Sequence, residues 1–119
     1  MNPVVVNVGC GGWYPRGSRR LRASVKDNSP GVDILQWIDR LPDGAPTHDE
    51  APYGFKIHAV RAAADLGYRF ILWLDSASIV RRPLGPLFDI VRRDGWYFQP
   101  NDYILGEWIT DAALERLGM

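Results

Sequence analysis

The sequence predicts an α/β fold of three layers, in which a mainly parallel sheet lies between two layers of helices. Strand-like and helix-like segments alternate along the chain, the order typical of parallel strands joined by helical crossovers. Residues 70–74 are all large and apolar without alternation, as expected for a central strand buried on both faces. A chain of 119 residues supports one domain, and we expect that domain to span residues 1–119.

The first half of the chain supplies two of the predicted strands. Residues 4–8 are almost all valine, which favours a first strand, and a glycine-rich loop follows over residues 9–17. Ser18 is a suitable N-cap for the first helix. A second strand is predicted over residues 32–38, followed by a polar loop rich in proline over residues 41–51.

The second predicted helix, residues 52–66, begins with a proline, whose missing N–H costs nothing in a first turn. Gly67 fits the position that follows a helix C-terminus. Spacings of four, three and four place one set of side chains on a common face, which we expect to be buried. This set is Tyr53, Ile57, Val60 and Ala64.

The third predicted strand, residues 70–74, is followed by a similar pattern. Pro86 opens a helix that Gly95 closes. The aromatic segment 96–99 predicts a fourth strand, and a short last helix is predicted over residues 110–117.

Composition excludes some classes of partner and compartment. Basic and acidic residues number 14 each, so the net charge gives no reason to expect binding to nucleic acid or to an anionic membrane surface. Apolar residues make up 46% of the chain, with no run long enough to span a membrane. Cys10 is the only cysteine and no signal peptide is visible, so we expect a cytoplasmic protein.

The carboxyl ends of parallel strands meet at one edge of a sheet, where ligands of open α/β folds bind. This rule places Tyr14, Asp39 and Asp75 in one neighbourhood. The glycines of residues 9–12 superficially resemble the turn of S-adenosylmethionine-dependent methyltransferases, and similar turns serve dinucleotides. In dinucleotide sites a helix follows the glycines directly, whereas here residues 13–17 intervene. A glycine-rich turn without a ligand is the third alternative.

Residues 72–78 end an apolar run on Asp75 and small hydroxyl residues, with Lys56 on the preceding helix and a Gly-Tyr pair at 67–68. This arrangement resembles the nucleotide-sugar glycosyltransferases of the GT-A fold, in which a helix with such a pair feeds a strand that finishes in an Asp-x-Asp motif. Further similarities are Tyr14, Gly17, Leu21, Ser24, residues 82–84 and residues 86–88. The resemblance implies an incomplete GT-A, Rossmann-like fold that corresponds to the donor-binding half of the family, either truncated or a minimal version of it.

The resemblance also implies a nucleotide-diphosphate sugar as donor and an unknown acceptor. Asp75 would hold Mn²⁺ or Mg²⁺ against the diphosphate, but Ala77 stands where the family has its second acid. Cationic side chains, namely Lys56, Arg81 or Arg82, are the alternative means of stabilising the leaving group. The nucleotide-sugar site would comprise Val8, Tyr14, Asp39, Lys56, Asp75 and Ser76.

Catalytic residues are less clearly indicated. Glu107 and Asp111 follow the fourth predicted strand, as acceptor-binding or sugar-binding acids do in the family. Asp111 alternatively complements the dipole of the last helix. There are two alternative functions: a nucleotide-binding module without catalysis, and the methyltransferase that the glycines of residues 9–12 suggest. An uncovered sheet edge could also recruit a second copy, so a homodimer is a further alternative.

Overall fold

The computed structural model describes residues 2–98, 111–116 and 118. The strands are β1 (Val4–Gly9), β2 (Asp33–Ile38) and β3 (Ile71–Trp73). The helices are α1 (Tyr14–Asn28), α2 (Gly54–Asp65), α3 (Gly85–Asp94) and α4 (Asp111–Arg116).

The strands form one parallel sheet in the order β2-β1-β3. In the register of the sheet, Val4 of β1 lies opposite Asp33 on one side and Ile71 on the other. The crossover through α1 places β2 on one side of β1, and the crossover through α2 returns the chain to the other side. The described part of the chain is therefore a small α/β fold with an open parallel sheet, an incomplete Rossmann-like sandwich, as the sequence predicts.

Among the strands of the described residues, β1 is the central one, and not the segment 70–74 that the sequence predicts. Every residue of β1 is buried, whereas β3 is half-buried and, among the described residues, pairs with β1 alone. An apolar run shows that a strand is covered by other residues, but it does not show how many strands flank it, so the prediction was wrong on this point.

Helices cover both faces of the sheet, which confirms the three layers. Leu21 and Val25 of α1 pack with Val5 on one face. Ala59 and Ala63 of α2 pack with the valines of β1 that point to the other face. Successive residues of a strand point to opposite faces, so β1 serves both layers.

Two helix predictions require correction. Helix α1 begins at Tyr14, with Trp13 as its N-cap, because Pro15 fits the first turn. Ser18, the predicted N-cap, instead lies buried inside the helix. In α2 the predicted buried face is exposed at Tyr53 (60%) and Ile57 (74%). The small side chains Ala59 and Ala63 face the sheet instead.

The C-terminal predictions have mixed outcomes. Helix α3 ends at Gly95, which has a φ of 85°, as predicted for a residue after a helix C-terminus. Residues 96–98 do not form the predicted fourth strand, and residue 99 lies outside the described residues. The described residues 111–116 form the predicted last helix.

Candidate functional site

The loops that follow the three strands lie at one edge of the sheet. We call this edge the carboxyl rim and define it as residues 10–14, Asp39 and residues 74–78, together with the Lys56 side chain that contacts them. The backbone N–H of Asp39 donates to the carbonyl of Gly9 at 2.9 Å, and the Ser76 hydroxyl lies 3.2 Å from the carbonyl of Val8. The loops are therefore hydrogen-bonded to the end of β1.

Asp75 is the centre of a cluster with two other side chains. The Nζ of Lys56 lies 3.2 Å from Asp75 Oδ1, and Trp73 Nε1–H donates to the same oxygen at 2.7 Å. Neither contact uses Oδ2. Lys56, one of the predicted site residues, therefore reaches the carboxyl rim, and its partner there is Asp75. A ligand contact of Lys56 stays a prediction.

Lys56 belongs to the first turn of α2 and lies among aromatic rings. Its Nζ is 4.9 Å from the ring centre of Tyr53 and 5.4 Å from that of Trp73. Both distances are within the range of cation–π attraction. A cation near a helix N-terminus is opposed by the helix dipole, so the carboxylate and the rings compensate for an unfavourable placement.

Positive charge also comes from α1. Arg19 lies 3.8 Å from Asp39, and Arg20 donates a long hydrogen bond, 3.5 Å, to the carbonyl of Ala77. Neither α1 nor α2 carries an acidic residue in its first turn. Three cationic side chains, Arg19, Arg20 and Lys56, therefore lie at or beside the rim, and two of them are paired with its carboxylates.

The first loop presents aromatic rings. Trp13 and Tyr14 are each about half exposed, and their ring centres are 4.8 Å apart with the ring planes 35° apart. Exposed flat rings are suited to stacking on a nucleobase. Cys10 is also exposed in this loop.

A buried polar network lies directly beneath the rim, and its central residue is Asn7. The Asn7 amide donates to the carbonyl of Leu74 at 2.9 Å and to the hydroxyl of Ser76 at 3.2 Å. Its oxygen accepts from Ser18 at 2.7 Å and from Gln36 at 3.1 Å. Asn7 thus uses both donor hydrogens and both acceptor positions, and it joins all three strand ends to α1.

Two glycines allow α1 to approach the sheet closely. A Cβ on Gly17 would overlap the carbonyl oxygen of Ser76 and lie 2.7 Å from the ring of Trp13. A Cβ on Gly9 would overlap the hydroxyl of Ser18. Both positions need glycine because of close packing, since neither has a positive φ.

The N-terminus of α1 is already satisfied by its own loop. The N–H of Tyr14 donates to the carbonyl of Gly11, and those of Arg16 and Gly17 donate to that of Trp13. Pro15 has no N–H. The amides of this turn are therefore not directed at a phosphate in the way that a dinucleotide-binding loop requires.

The predicted site residues lie at different depths. Asp39, Tyr14 and Asp75 are exposed at the rim, beside the half-buried Lys56. Val8 and Ser76 are buried beneath it, so any ligand contact of their side chains stays a prediction. Of the weaker candidates, Asp111 is exposed in the first turn of α4, and Glu107 lies outside the described residues.

Several residues of the site were missed in the sequence analysis. Trp73 and Tyr53 surround Lys56, and Asn7, Ser18 and Gln36 form the buried network. One signal was available, because Asn7 interrupts an otherwise apolar strand and a buried amide needs partners. The partners themselves come from other segments and could not be read from the pattern.

The donor set fits a divalent cation poorly. Within residues 2–98, 111–116 and 118, no three His, Cys, Asp or Glu side chains come close enough together to hold a metal ion. At the rim, one oxygen of Asp75 already accepts from Lys56 and Trp73. The predicted Mn²⁺ or Mg²⁺ stays a prediction.

Comparison with protein-family models, with curated proteins and with solved structures finds no match to this chain. None of the helices in the described part has the length and apolar character needed to cross a membrane.

Proposed function

We propose that this chain binds a nucleotide-diphosphate sugar at the carboxyl rim and transfers the sugar to an acceptor. The observation that carries the proposal is the contact of Lys56 with Asp75 at the carboxyl end of β3. It supplies a cation at the edge where open α/β sheets bind ligands, next to the segment that resembles the glycosyltransferase motif.

The residues of the rim suit the parts of such a donor. Lys56 provides charge for the diphosphate, which gains negative charge as the bond to the sugar breaks. The rings of Trp13 and Tyr14 offer a surface for the base. The carboxylates of Asp39 and Asp75 can accept hydrogen bonds from ribose or sugar hydroxyls, Asp75 through its second oxygen.

Calorimetric titration with uridine and guanosine diphosphates tests the binding step. We expect one nucleotide to bind with a Kd in the micromolar to millimolar range, and Tyr14→Ala to weaken it about tenfold through loss of base stacking. Tyr97→Ala, distant in sequence from the first loop, controls for the loss of an aromatic ring. Absence of binding by both nucleotides, with and without Mn²⁺, would refute the proposal.

The second candidate is a nucleotide-binding module without catalysis. Ala77 favours it, because the position of the second acid of the family motif carries only a methyl group. Both functions predict nucleotide binding, but only the first predicts release of free sugar from a bound donor. A donor-hydrolysis assay at saturating protein therefore separates them.

A further inference from the structure

We infer that the carboxyl rim binds the diphosphate group through the ammonium of Lys56, without a divalent cation. This inference rests on the proposed function, because it specifies how that site would recognise its ligand. It differs from what the resemblance implies, in which Asp75 holds a metal ion. Its basis is the chemistry of the donors at the rim.

The first argument is the state of the Asp75 carboxylate. A hard cation binds carboxylate oxygens at roughly 2.0–2.6 Å. Such a cation on Oδ1 would lie within about 6 Å of the Lys56 ammonium, which is itself 3.2 Å from that oxygen. Repulsion between the two cations opposes this arrangement, and the hydrogen bond from Trp73 would also be lost. A cation on Oδ2 would leave the Trp73 hydrogen bond in place, but the Lys56 ammonium, paired with the same carboxylate, would still repel it.

The second argument is the shortage of other ligands. The methyl group of Ala77 replaces the second acid. No group of three metal-ligating side chains was found in the part of the chain that the structure describes. A cation held by one protein oxygen would depend almost entirely on water and on the diphosphate itself.

The third argument is that Lys56 is held in position for an anion. An ammonium has three N–H donors, and the contact with Asp75 accounts for one of them. The side chain retains 34% exposure, so the ammonium is accessible to a ligand. The rings of Tyr53 and Trp73 limit its freedom, and the N-terminus of α2 adds positive potential.

The chain offers a matched control, because Lys26, exposed in the last turn of α1, is its other lysine. Calorimetry with uridine diphosphate, guanosine diphosphate and inorganic pyrophosphate is run in EDTA and again in Mn²⁺. We expect binding in EDTA, and Mn²⁺ should change the Kd by less than fivefold. Lys56→Met should weaken the affinity at least tenfold, whereas Lys26→Met should leave it unchanged. Circular dichroism checks that each variant is folded.

Asp75→Asn distinguishes the two mechanisms even if Lys56→Met fails to fold. If a metal on Asp75 holds the diphosphate, this substitution abolishes binding. If Lys56 does so, binding in EDTA persists within fivefold or becomes tighter, because the ammonium is released from its ion pair. Loss of binding by more than tenfold in this variant would overturn the inference.

The outcomes separate the inference from the proposed function. Nucleotide binding that requires Mn²⁺, or that Mn²⁺ tightens fivefold or more, overturns the inference and leaves the function intact. Pyrophosphate bound through Lys56 in EDTA, without any preference for nucleotides, overturns the nucleotide function and supports the anion site. Failure of all three probes in both solutions overturns both.

Discussion

Replacement of Asn7 by alanine should destabilise the fold strongly, although Asn7 touches no predicted ligand. The side chain is fully buried and makes four hydrogen bonds at the end of the central strand. These bonds connect β1 to the segment after β3, to α1 and to β2. Their loss removes the main polar connection between the rim and the sheet.

The size of the stability loss depends on which hydrogen bonds the partners of Asn7 keep in the alanine variant. Ser18 retains Ser76, and the amide of Gln36 retains the carbonyl of Ser18 at 2.8 Å. The carbonyl of Leu74 loses its only hydrogen bond among the described residues. A buried polar group left without a partner costs about 1–3 kcal/mol, and each other lost hydrogen bond costs about 0.5–1.5 kcal/mol. Ser18 and Gln36 recover part of this cost through the partners that they keep. We expect a total loss of roughly 2–4 kcal/mol in the free energy of unfolding.

Urea unfolding followed by tryptophan fluorescence measures this difference. For a slope of about 2 kcal/mol per molar urea, the midpoint should fall by about 1–2 M. Asn2→Ala is the matched control, since Asn2 is exposed and makes one hydrogen bond of 3.2 Å to Asp33, and it should change stability by less than about 0.5 kcal/mol. A difference between the two variants below about 1 kcal/mol would refute the role of the network.

Two further predictions concern packing and pH. Gly17→Ala should destabilise the fold by about 1–3 kcal/mol, because its Cβ meets the carbonyl of Ser76. Gly31→Ala, with open space around its Cβ and no positive φ, should instead stabilise it by roughly 0.4–1 kcal/mol. The same sign in urea unfolding for both variants would contradict the close approach of α1. Tyr68 donates to Asp33 at 2.8 Å, and this bond, with desolvation and the charge of Asp33, raises the pKa of Tyr68 above 10.0. Because the pKa of Tyr68 is raised in the folded state, its hydroxyl contributes its full stabilisation below the unfolded pKa, and this stabilisation is lost as pH rises through the folded pKa. The wild type should therefore lose stability above pH 10 relative to Tyr68→Phe. Parallel stability curves from pH 8 to 11 would contradict this.

The fold class could be predicted because it depends on the order and apolar character of segments. The valines of β1 and the apolar run that contains β3 predict strands, and Gly95 predicts the end of α3. Strand order in the sheet depends on where each crossover returns, and no local pattern encodes it. For that reason the central strand was misassigned.

The buried face of α2 shows a second limit of sequence patterns. Tyr53 and Ile57 are spaced as residues of one helical face, but Ala59 and Ala63, which are also four apart, share another. Hydrophobicity alone predicts that the face with the larger side chains is the buried one. The structure buries the alanines, whose small size suits a helix lying against the valines of β1, and leaves Tyr53 and Ile57 exposed. Tyr53 contacts Lys56.

The segment after β3 explains why the motif alone was ambiguous. The chain turns directly after β3, and in this turn Asp75 is exposed whereas Ser76 is buried. Ser76 is bound to Asn7 and Ser18 and anchors the segment to the core. Asp75 turns instead towards the first turn of α2. A search confined to the motif looks for a second acid at position 77, whereas the charge that acts with Asp75 comes from Lys56 on the preceding helix. The partner of Asp75 is therefore determined by the packing of α2 against the sheet, and substitutions that shift α2 should alter anion binding at the rim even when Asp75 is unchanged.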